Sequence, residues 1–494
     1  MKEPYAIHWF RRDLRVPGNE ILDWLRQKYK GRVIGLFCFD KLFLSRKDFS
    51  CNRFQFFLET LKSLKKDLRK MGGDLLLLDT GPLESFDEIF KVLKQNNIEL
   101  PETISWNRDY EPFALKRDRK MISFFKEMEV STYNGRDHLI IEPHEITKGS
   151  KGDEGYKVYT PFYNKWIQKF QEESIQTRIT FQKRSLSLVK EISHGKYPKL
   201  FSLTWTKLLK NKNKFPDYLE KYIEQNKKAV TISIPKAGNL EAFELLRSFS
   251  SRVKNYTSDR DFPSIKGTSG LSLFLKNGSI STGQIVSFLN LNPFDKNAHP
   301  GKVTFLKEIV WREFYYHILF HFPYVEKEAF KPSYRTISWS NNKTHFKAWK
   351  EGQTGFPIVD AGMRQLRQTG WMHNRVRMIV ASFLTKDLLI DWKWGEKYFM
   401  EQLLDGDLAP NNGGWQWAAS TGCDSQPYFR IFNPWTQGQK FDPDAEYIKK
   451  YIPELKEFSP KEIHSGKVSH KSYPNPIVDH KVQREKALKL YKEL

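Results

Sequence analysis

Cysteine and long apolar runs are what this sequence has least of. Its three cysteines, Cys38, Cys51 and Cys423, have no paired spacing, which excludes a disulfide framework and a four-cysteine metal cluster within the chain. No apolar run approaches the roughly 20 residues of a membrane helix, and the N-terminal "MKEPYAIHWF" contains no long apolar signal region. These absences predict a soluble protein in a reducing, intracellular setting, with no membrane partner and no metal. They do not separate nucleus from cytosol, and the location that we expect is the cytoplasm.

Acidic residues are also scarce relative to basic ones. The 58 acids face 81 lysines and arginines, which gives a net charge of +23. Such an excess favours a polyanionic partner such as nucleic acid, although a basic surface that only maintains solubility has the same balance. The 14 tryptophans are a surplus that suits stacking on planar ligands or bases, and ordinary core filling accounts for such a surplus as well.

No GxGxxG motif follows the first strand-like stretch, so the usual dinucleotide fingerprint is absent. The first part of the chain instead alternates apolar stretches, such as "YAIHWF", "RVIGLFCFD" and "DLLLLDT", with charged helical segments. This alternation predicts an α/β domain with a Rossmann-like parallel sheet at residues 1–136. Periodicity is then lost, and residues 137–238 are interpreted as a connection over the surface with some helix.

Helical patterns dominate from Asn239 onward, as in "KVTFLKEIVWREFYYHILFHF" and "FPIVDAGMRQLRQTG". They predict a mostly α-helical domain at residues 239–480, followed by the end of a C-terminal helix at residues 481–494. Within it, Glu308 and Trp311 of "KEIVWREF" share a helix face beside Arg312. Such a face suits a base-like ligand. An interior tryptophan next to a surface ion pair gives the same pattern.

The stretch "GWMHNRVRM" brings Asn374, Arg377 and Met378 to one side of a helix. An asparagine offers both a donor and an acceptor to a ring edge, whereas a buried arginine needs an acid, for which Asp405 is a candidate. His373 has no metal-ligand spacing around it and is more often structural in such a place.

Two polar stretches suggest a bound ligand. Hydroxyl residues and glycines of "KGTSGLSLFL", residues 266–275, precede a helix and suit a phosphate, although an ordinary N-cap explains them equally well. The stretch "DGDLAPNNGGWQWAAST", residues 405–421, combines acids, amides and tryptophans so densely that it indicates a bound ring system rather than a plain core.

These stretches, together with "YFRIFNPWTQGQKFDPDAEYIKKYIPEL", resemble the flavin-binding core of the DNA photolyase and cryptochrome family. The resemblance runs from "HWFRRDLR" to "YPNPIVDHKVQREKAL" and implies that the helical domain binds FAD and DNA. It implies that Arg377 pairs with Asp405 and that Asn411 faces the flavin N5. Gly270 departs from the arginine common in bacterial members. The residues that the resemblance assigns to FAD are Tyr256, Thr268, Ser269, Gly270, Leu271, Ser272, Asn374, Arg377, Asp405, Gly406, Asp407 and Asn411.

The resemblance also assigns an electron relay to Trp415, Trp392 and Trp339. The residues that it implies for catalysis are Glu308, Trp311, Asn374 and Met378. The residues that it implies for contact with DNA are Arg260, Glu308, Trp311, Arg312 and Asn374. In the implied mechanism a pyrimidine dimer flips out of the duplex and stacks on Trp311, and Glu308 forms a hydrogen bond with the pyrimidine edge. Light-excited reduced FAD then donates the electron that splits the dimer.

Particular positions indicate which member of the family this chain resembles. Glu308 and Trp311 match class I, bacterial-type cyclobutane pyrimidine dimer photolyases, whereas six-four photolyases carry a histidine pair after "GW" and plant cryptochromes tend to have aspartate at the position of Asn411. A blue-light photoreceptor or a six-four photolyase is the alternative, and a DNA-binding flavoprotein that acts without light is a third hypothesis.

The second chromophore stays open. Phe113 and Ala114 stand where folate-using bacterial members carry an amide and an acid, so a folate, a deazaflavin, a flavin or no antenna all remain. The expected partner is damaged DNA containing pyrimidine dimers, bound by a monomer that is nucleoid-associated when on DNA.

Overall fold

The structure is a computed structural model that describes residues 3–148, 154–212, 215–468 and 471–493. Residues 149–153 and 213–214 of the predicted connection, residues 469–470 and the terminal Leu494 lie outside the described residues. The chain divides into a sheet unit, formed by Met1–Ile146, Asn164–Ser251 and Ser269–Ala298, and a helical unit, formed by Thr147–Tyr163, Arg252–Thr268 and His299–Leu494.

The sheet unit is built on a parallel sheet. Its strands are β1 (Ala6–Trp9), β2 (Val33–Cys38), β3 (Leu75–Leu78), β4 (Thr103–Asn107) and β5 (Ser131–Gly135). They lie in the order β3-β2-β1-β4-β5, with Ala6 paired to both Val33 and Thr103. All residues of β1 to β4 are buried, as in parallel sheets covered on both faces. The predicted α/β fold class is confirmed.

Alternate side chains of the strands pack into two separate apolar cores. Ile7 and Trp9 point into one apolar cluster, whereas Ala6 and Phe10 point into the other. This alternation follows from the two-residue repeat of a strand. The helices of the first 300 residues are α1 (Glu20–Lys28), α2 (Lys41–Leu44), α3 (Cys51–Lys70), α4 (Pro82–Gln95), α5 (Pro112–Glu127), α6 (Tyr159–Phe170), α7 (Glu173–Ser193), α8 (Trp205–Leu208), α9 (Tyr218–Lys227), α10 (Asn239–Ser250), α11 (Tyr256–Asp259), α12 (Ser272–Asn277) and α13 (Thr282–Leu289).

Helix α7 differs from the surface connection expected between residues 137 and 238. It has a buried face that includes Ile175 and Gln182 and packs on α13. The buried amide of Gln182 donates to the Gly18 carbonyl at 2.9 Å and accepts from Ser281 Oγ at 3.0 Å. Such satisfied polar positions break the apolar periodicity by which a helix is predicted from sequence.

The helical unit surrounds the 22-residue helix α14 (Pro300–His321). The helices that follow are α15 (Lys343–Glu351), α16 (Pro357–Thr369), α17 (Asn374–Ser382), α18 (Trp392–Gln402), α19 (Leu408–Ala418), α20 (Pro434–Phe441), α21 (Glu446–Tyr451), α22 (Pro460–Ser465) and α23 (His480–Lys492). A π-helical turn, Phe383–Asp387, continues α17. The predicted mostly helical character is confirmed, and among the described residues no helix is both long and apolar enough to cross a membrane.

Candidate functional site

Helix α14 carries a stripe of partly exposed side chains, although much of the helix is buried. Thr304, Glu308, Trp311, Arg312 and Tyr315 are partly exposed, while most residues between them are buried. Their spacing of three and four residues places them on one helix face. The face predicted from "KEIVWREF" therefore exists, and it is accessible rather than interior.

Trp311 stacks on an aromatic neighbour from outside this helix. The rings of Trp311 and Tyr159 lie 3.6 Å apart between centroids with an interplanar angle of 4°. Phe314 meets Trp311 edge-on at 5.6 Å, and Tyr315 lies at 5.8 Å. The indole is therefore supported on one face by a second flat ring.

Glu308 belongs to a chain of alternating charges. Its carboxylate accepts from Arg260, Arg260 lies 3.8 Å from Asp261, and Asp261 accepts from Arg375 at 2.8 Å. Burial alone would lower the pKa of Arg260, and the neighbouring Glu308, together with Tyr256 and Asp261, more than offsets this and raises it. Arg260 and Glu308 were among the predicted site residues, whereas Asp261 and Arg375 were not. Ion pairs between segments far apart in sequence leave no periodic signal.

The start of α17 presents the predicted trio. Asn374 is exposed, Arg377 and Met378 are partly exposed, and the Asn374 amide lies 3.9 Å from the Met378 sulfur. Arg377 donates to both oxygens of Asp405, at 2.8 and 3.1 Å, and its Nε donates to the Met372 carbonyl at 2.8 Å. The pairing of Arg377 with Asp405 is confirmed.

His373 has a structural position before this helix. It is buried, and its Nδ1 accepts from the Arg375 N–H at 3.2 Å, which caps α17. Burial lowers the pKa of His373 to about 4, which keeps the ring neutral and able to accept.

The acidic turn between α18 and α19 is held from two sides. Asp405 pairs with Arg377, Gly406 is buried, and Asp407 accepts from the Tyr316 hydroxyl at 2.6 and 2.7 Å. These partners explain how two carboxylates are buried in one short turn.

The two asparagines of α19 differ in role. Asn412 is buried and donates to the Val325 carbonyl at 3.0 Å. Asn411 is partly exposed and donates to the Glu396 carbonyl at 3.0 Å. Only Asn411 therefore presents part of its side chain outside the core.

The three tryptophans predicted to form an electron relay belong to one apolar cluster. Trp392 and Trp415 are buried in it, and Trp339 packs against it while partly exposed. Trp415 meets the Phe399 ring edge-on at 4.9 Å, and Gly395 allows the close approach, since a Cβ there would lie 2.1 Å from the indole. Trp339 lies 6.3 Å from the ring of Tyr491.

The segment before α12 has an open backbone conformation. Gly270 has a φ of +69° and no atom within 4 Å of the place where a Cβ would stand. Ser269 Oγ accepts from the Leu271 N–H at 3.4 Å, and α12 begins at Ser272. Thr268 belongs to the helical unit and the four residues after it to the sheet unit. Tyr256, at the start of α11, is buried with its ring 5.1 Å from that of Phe305.

A serine, histidine and aspartate trio in the sheet unit was missed by sequence analysis. His8 lies 2.8 Å from Ser105 Oγ and 2.9 Å from Asp13 Oδ2, and Asn19 and Asn107 also donate to Asp13. All five side chains are buried. Because no substrate reaches Ser105, the arrangement is structural and ties the end of β1 to β4 rather than carrying out hydrolysis.

The positions that bear on an antenna lie at the start of α5. Phe113 is about half exposed and Ala114 is buried. Neither side chain supplies a hydrogen-bonding group.

Comparison with known proteins identifies the family. The family model for the FAD binding domain of DNA photolyase matches residues 305–493, and the DNA photolyase model matches residues 6–183. The deoxyribodipyrimidine photo-lyase of Synechococcus sp. is 36% identical over 99% of this chain and 96% of its own length. A bacterial class III photolyase from Agrobacterium tumefaciens superposes with a TM-score of 0.79 at 33% identity, covering 100% of this chain and 98% of its own.

An archaeal photolyase from Sulfolobus tokodaii, solved with two FAD molecules, also has a TM-score of 0.79, at 31% identity over 99% of this chain and 100% of its own. With a matching family model toward each end and relatives aligned over almost the whole of both chains, this chain belongs to the DNA photolyase family.

Proposed function

We propose that this protein repairs cyclobutane pyrimidine dimers in DNA by light-driven electron transfer from reduced FAD, as a deoxyribodipyrimidine photo-lyase. The single observation that supports this most is the accessible stripe of α14, where a flat indole, Trp311, lies beside the carboxylate of Glu308. A flipped pyrimidine dimer offers a flat apolar surface and a polar edge, which are complementary to these two groups.

The residues assigned to FAD fit its chemistry. The guanidinium of Arg377 and the amides of Asn374 and Asn411 suit flavin carbonyl and ring nitrogens, and the carboxylates of Asp405 and Asp407 suit donors such as ribose hydroxyls. The αL backbone and open surroundings of Gly270 leave room for a phosphate to approach the Thr268–Ser272 segment, whose other assigned members are Ser269 and Leu271. Gly406 and Tyr256 complete the set. FAD, when bound and reduced, supplies the photoexcited electron.

The residues of the site hold the lesion rather than react with it. Trp311 offers the ring on which the dimer stacks, and Arg260 holds Glu308 toward the partly exposed face where it accepts from a pyrimidine N–H. Asn374 and Met378 line the neighbouring helix start. Because these groups are positioned before binding, little side-chain ordering remains to be done when the lesion arrives.

Electron supply to the cofactor is assigned to Trp415, Trp392 and Trp339. Their membership of one cluster, with two buried and one partly exposed, supports a path from the surface to the interior. Trp392 and Trp415 are buried, so charge moving between them would meet little solvent rearrangement.

The net charge of +23 supports binding to the DNA backbone. We assign Arg260, Arg312 and Asn374 to contacts with DNA, and we expect binding to weaken steeply with salt. The protein acts as a monomer in the cytoplasm and associates with the nucleoid when on DNA. We propose that the chain is divided functionally into residues 1–136, 137–238, 239–480 and 481–494. We assign the protein to the class I photolyases. Its possible antenna chromophore is a folate, a deazaflavin or a flavin.

The test uses ultraviolet-irradiated oligothymidine with the anaerobically reduced protein. We expect thymine absorbance to recover under blue or near-ultraviolet light and not in darkness. Trp311→Ala is expected to reduce discrimination between irradiated and unirradiated oligothymidine about tenfold with FAD still bound, because a stacked base contributes roughly 1–3 kcal/mol.

Trp394→Ala is the matched control, since it removes another partly buried indole of the helical unit, one that packs on Phe346. Equal discrimination by wild type and Trp311→Ala would refute the role of Trp311. Absence of light-dependent recovery with reduced FAD present would refute dimer repair.

A blue-light photoreceptor is the second candidate, and the tryptophan cluster is the observation that favours it. That function predicts light-dependent reduction of the flavin without splitting of dimers. A six-four photolyase would leave oligothymidine dimers intact and restore absorbance only in DNA that contains six-four lesions.

A further inference from the structure

We propose that Tyr159 is a positioning residue that fixes the orientation of Trp311 and reserves one face of the indole for the lesion. This inference rests on the proposed function, because it deepens the role given to Trp311. It begins from the parallel stack of the two rings, 3.6 Å apart at 4°.

The stack is anchored at both ends of Tyr159. The tyrosine hydroxyl donates to the Lys307 carbonyl at 3.0 Å, one helical turn before Trp311. The backbone N–H of Tyr159, at the start of α6, donates to Asp424 Oδ2 at 2.9 Å. The ring is therefore fixed to the same helix that carries Trp311 and to a loop of the same unit.

The geometry of the stack indicates that the rings packed around Tyr159 impose it together with the two anchors. Isolated aromatic pairs favour offset or edge-on arrangements, whereas a centroid distance of 3.6 Å leaves little lateral offset. The Tyr163 ring lies 5.7 Å from that of Tyr159 at an interplanar angle of 24°, and Phe314 meets Tyr159 edge-on. Tyr159 thus has neighbours that prevent it from turning away.

The consequence concerns binding rather than the light reaction. With one face of Trp311 covered by Tyr159, stacking of a flat ligand is restricted to the other face, and the indole does not have to be ordered when the ligand binds. Loss of the tyrosine ring would free Trp311 to rotate and would expose its second face. Lesion recognition would weaken, while the rate of splitting at saturating lesion would be unchanged.

The experiment compares five variants for binding of irradiated against unirradiated oligothymidine. Tyr159→Leu removes the stacked ring, and Tyr159→Phe keeps the ring but loses the bond to Lys307. Phe162→Leu is the matched control, because Phe162 is on the same helix and packs on Phe314 and His317. Trp311→Ala is made alone and combined with Tyr159→Leu.

We expect Tyr159→Leu to lower discrimination about tenfold, and Tyr159→Phe to keep it within about threefold, since the flat ring remains. Phe162→Leu should lower the melting temperature without changing discrimination. In the Trp311→Ala background, Tyr159→Leu should have no further effect on discrimination, because the ring that it positions is gone. The turnover rate at saturating lesion in light should stay within about twofold in Tyr159→Leu.

Normal discrimination in folded Tyr159→Leu would overturn the proposal, and so would an additive loss in the double variant. A Phe162→Leu loss equal to that of Tyr159→Leu would assign the effect to general packing and would also overturn it. Failure of the proposed function has a different result, since wild type would then show no light-dependent repair and Trp311→Ala no loss of discrimination.

Discussion

Two polar networks, one in each unit, show how burial decides between structural and functional roles. In the sheet unit, Asp13 accepts from His8, Asn19 and Asn107, and the whole network is closed to solvent. In the helical unit, the chain from Glu308 through Arg260 and Asp261 to Arg375 is only partly buried. In the closed, buried network the polar groups form their hydrogen bonds within the protein. In the open, partly buried network, charged groups stay available to a ligand.

The difference predicts that damage to the closed network lowers stability and damage to the open one lowers function. The pKa values agree with this division. Although burial raises the pKa of Asp13, its hydrogen bonds with His8 and its other donors hold that pKa below the ordinary value. The folded sheet unit therefore depends on the charged form of this carboxylate.

The largest effect is expected from Asp13→Asn. The substitution leaves at least one buried donor facing another donor, and breaking a buried ionic network costs roughly 3–5 kcal/mol. Urea unfolding should show this loss, with Asp23→Asn as the control, since Asp23 is a partly exposed acid of α1. If the urea midpoint of Asp13→Asn equalled that of the wild type, a structural role for the network would be contradicted.

The next effect is a pH dependence from His373. Its folded pKa of about 4 lies below the ordinary 6.5, so the neutral ring adds stability that is complete above pH 6.5 and is lost as pH falls through 4. The loss is at most about 3 kcal/mol, at 1.36 kcal/mol per pH unit. His373→Asn keeps a capping side chain and should flatten the melting-temperature curve over that window. If the melting temperature of His373→Asn fell with pH in parallel with that of the wild type, the pH dependence would not come from His373.

A smaller stability effect with a large functional effect is expected from Arg377→Met. Asp405 would keep its buried carboxylate without its partner, which costs about 1–3 kcal/mol, and bound FAD should fall at least fivefold. The measurement is flavin absorbance per protein after purification. Arg367→Met is the control, because Arg367 is an exposed arginine on α16. Full flavin content in Arg377→Met would argue against the assigned site.

The smallest change in stability is expected from Glu308→Gln. Its pair with Arg260 is partly exposed, and such pairs contribute about 0–1 kcal/mol. Binding of irradiated oligothymidine should nevertheless weaken about tenfold, because a carboxylate is a stronger acceptor than an amide. Glu326→Gln removes an exposed acid of the same unit and should leave binding unchanged. If Glu308→Gln lowered stability without changing the binding of irradiated oligothymidine, the open network would be the structural one, contrary to the comparison above.

Sequence patterns predicted those features that repeat. Strands β2 and β3 are runs of apolar residues, and the faces of α14 and α17 follow helical spacing, so both could be predicted from the sequence, together with the places of Glu308, Trp311 and Arg377. The pairing of Arg377 with Asp405 followed from the need of a partly buried cation for an acid.

Contacts between distant segments were not predictable in this way. Tyr159 against Trp311, Asp261 with Arg375, and Ser105 with His8 join positions whose separation has no period. Some helix was expected in residues 137–238, but the buried face of α7 was not predicted, because its buried Gln182 interrupts the apolar repeat. Residue roles in electron transfer and FAD binding came from the family resemblance alone and stay predictions.

The division of the chain has a consequence for synthesis on the ribosome. The sheet unit is interrupted by two short segments, Thr147–Tyr163 and Arg252–Thr268, that belong to the helical unit. Tyr159 and Arg260 lie on these segments, and their partners Trp311 and Glu308 are on α14, which begins only at Pro300. Since nascent domains fold from the N-terminus as they emerge, the sheet unit is fully synthesised while both segments still lack their partners. The face that carries Trp311 and Glu308 therefore forms late in translation, when α14 leaves the exit tunnel and packs with two segments of chain made well before it.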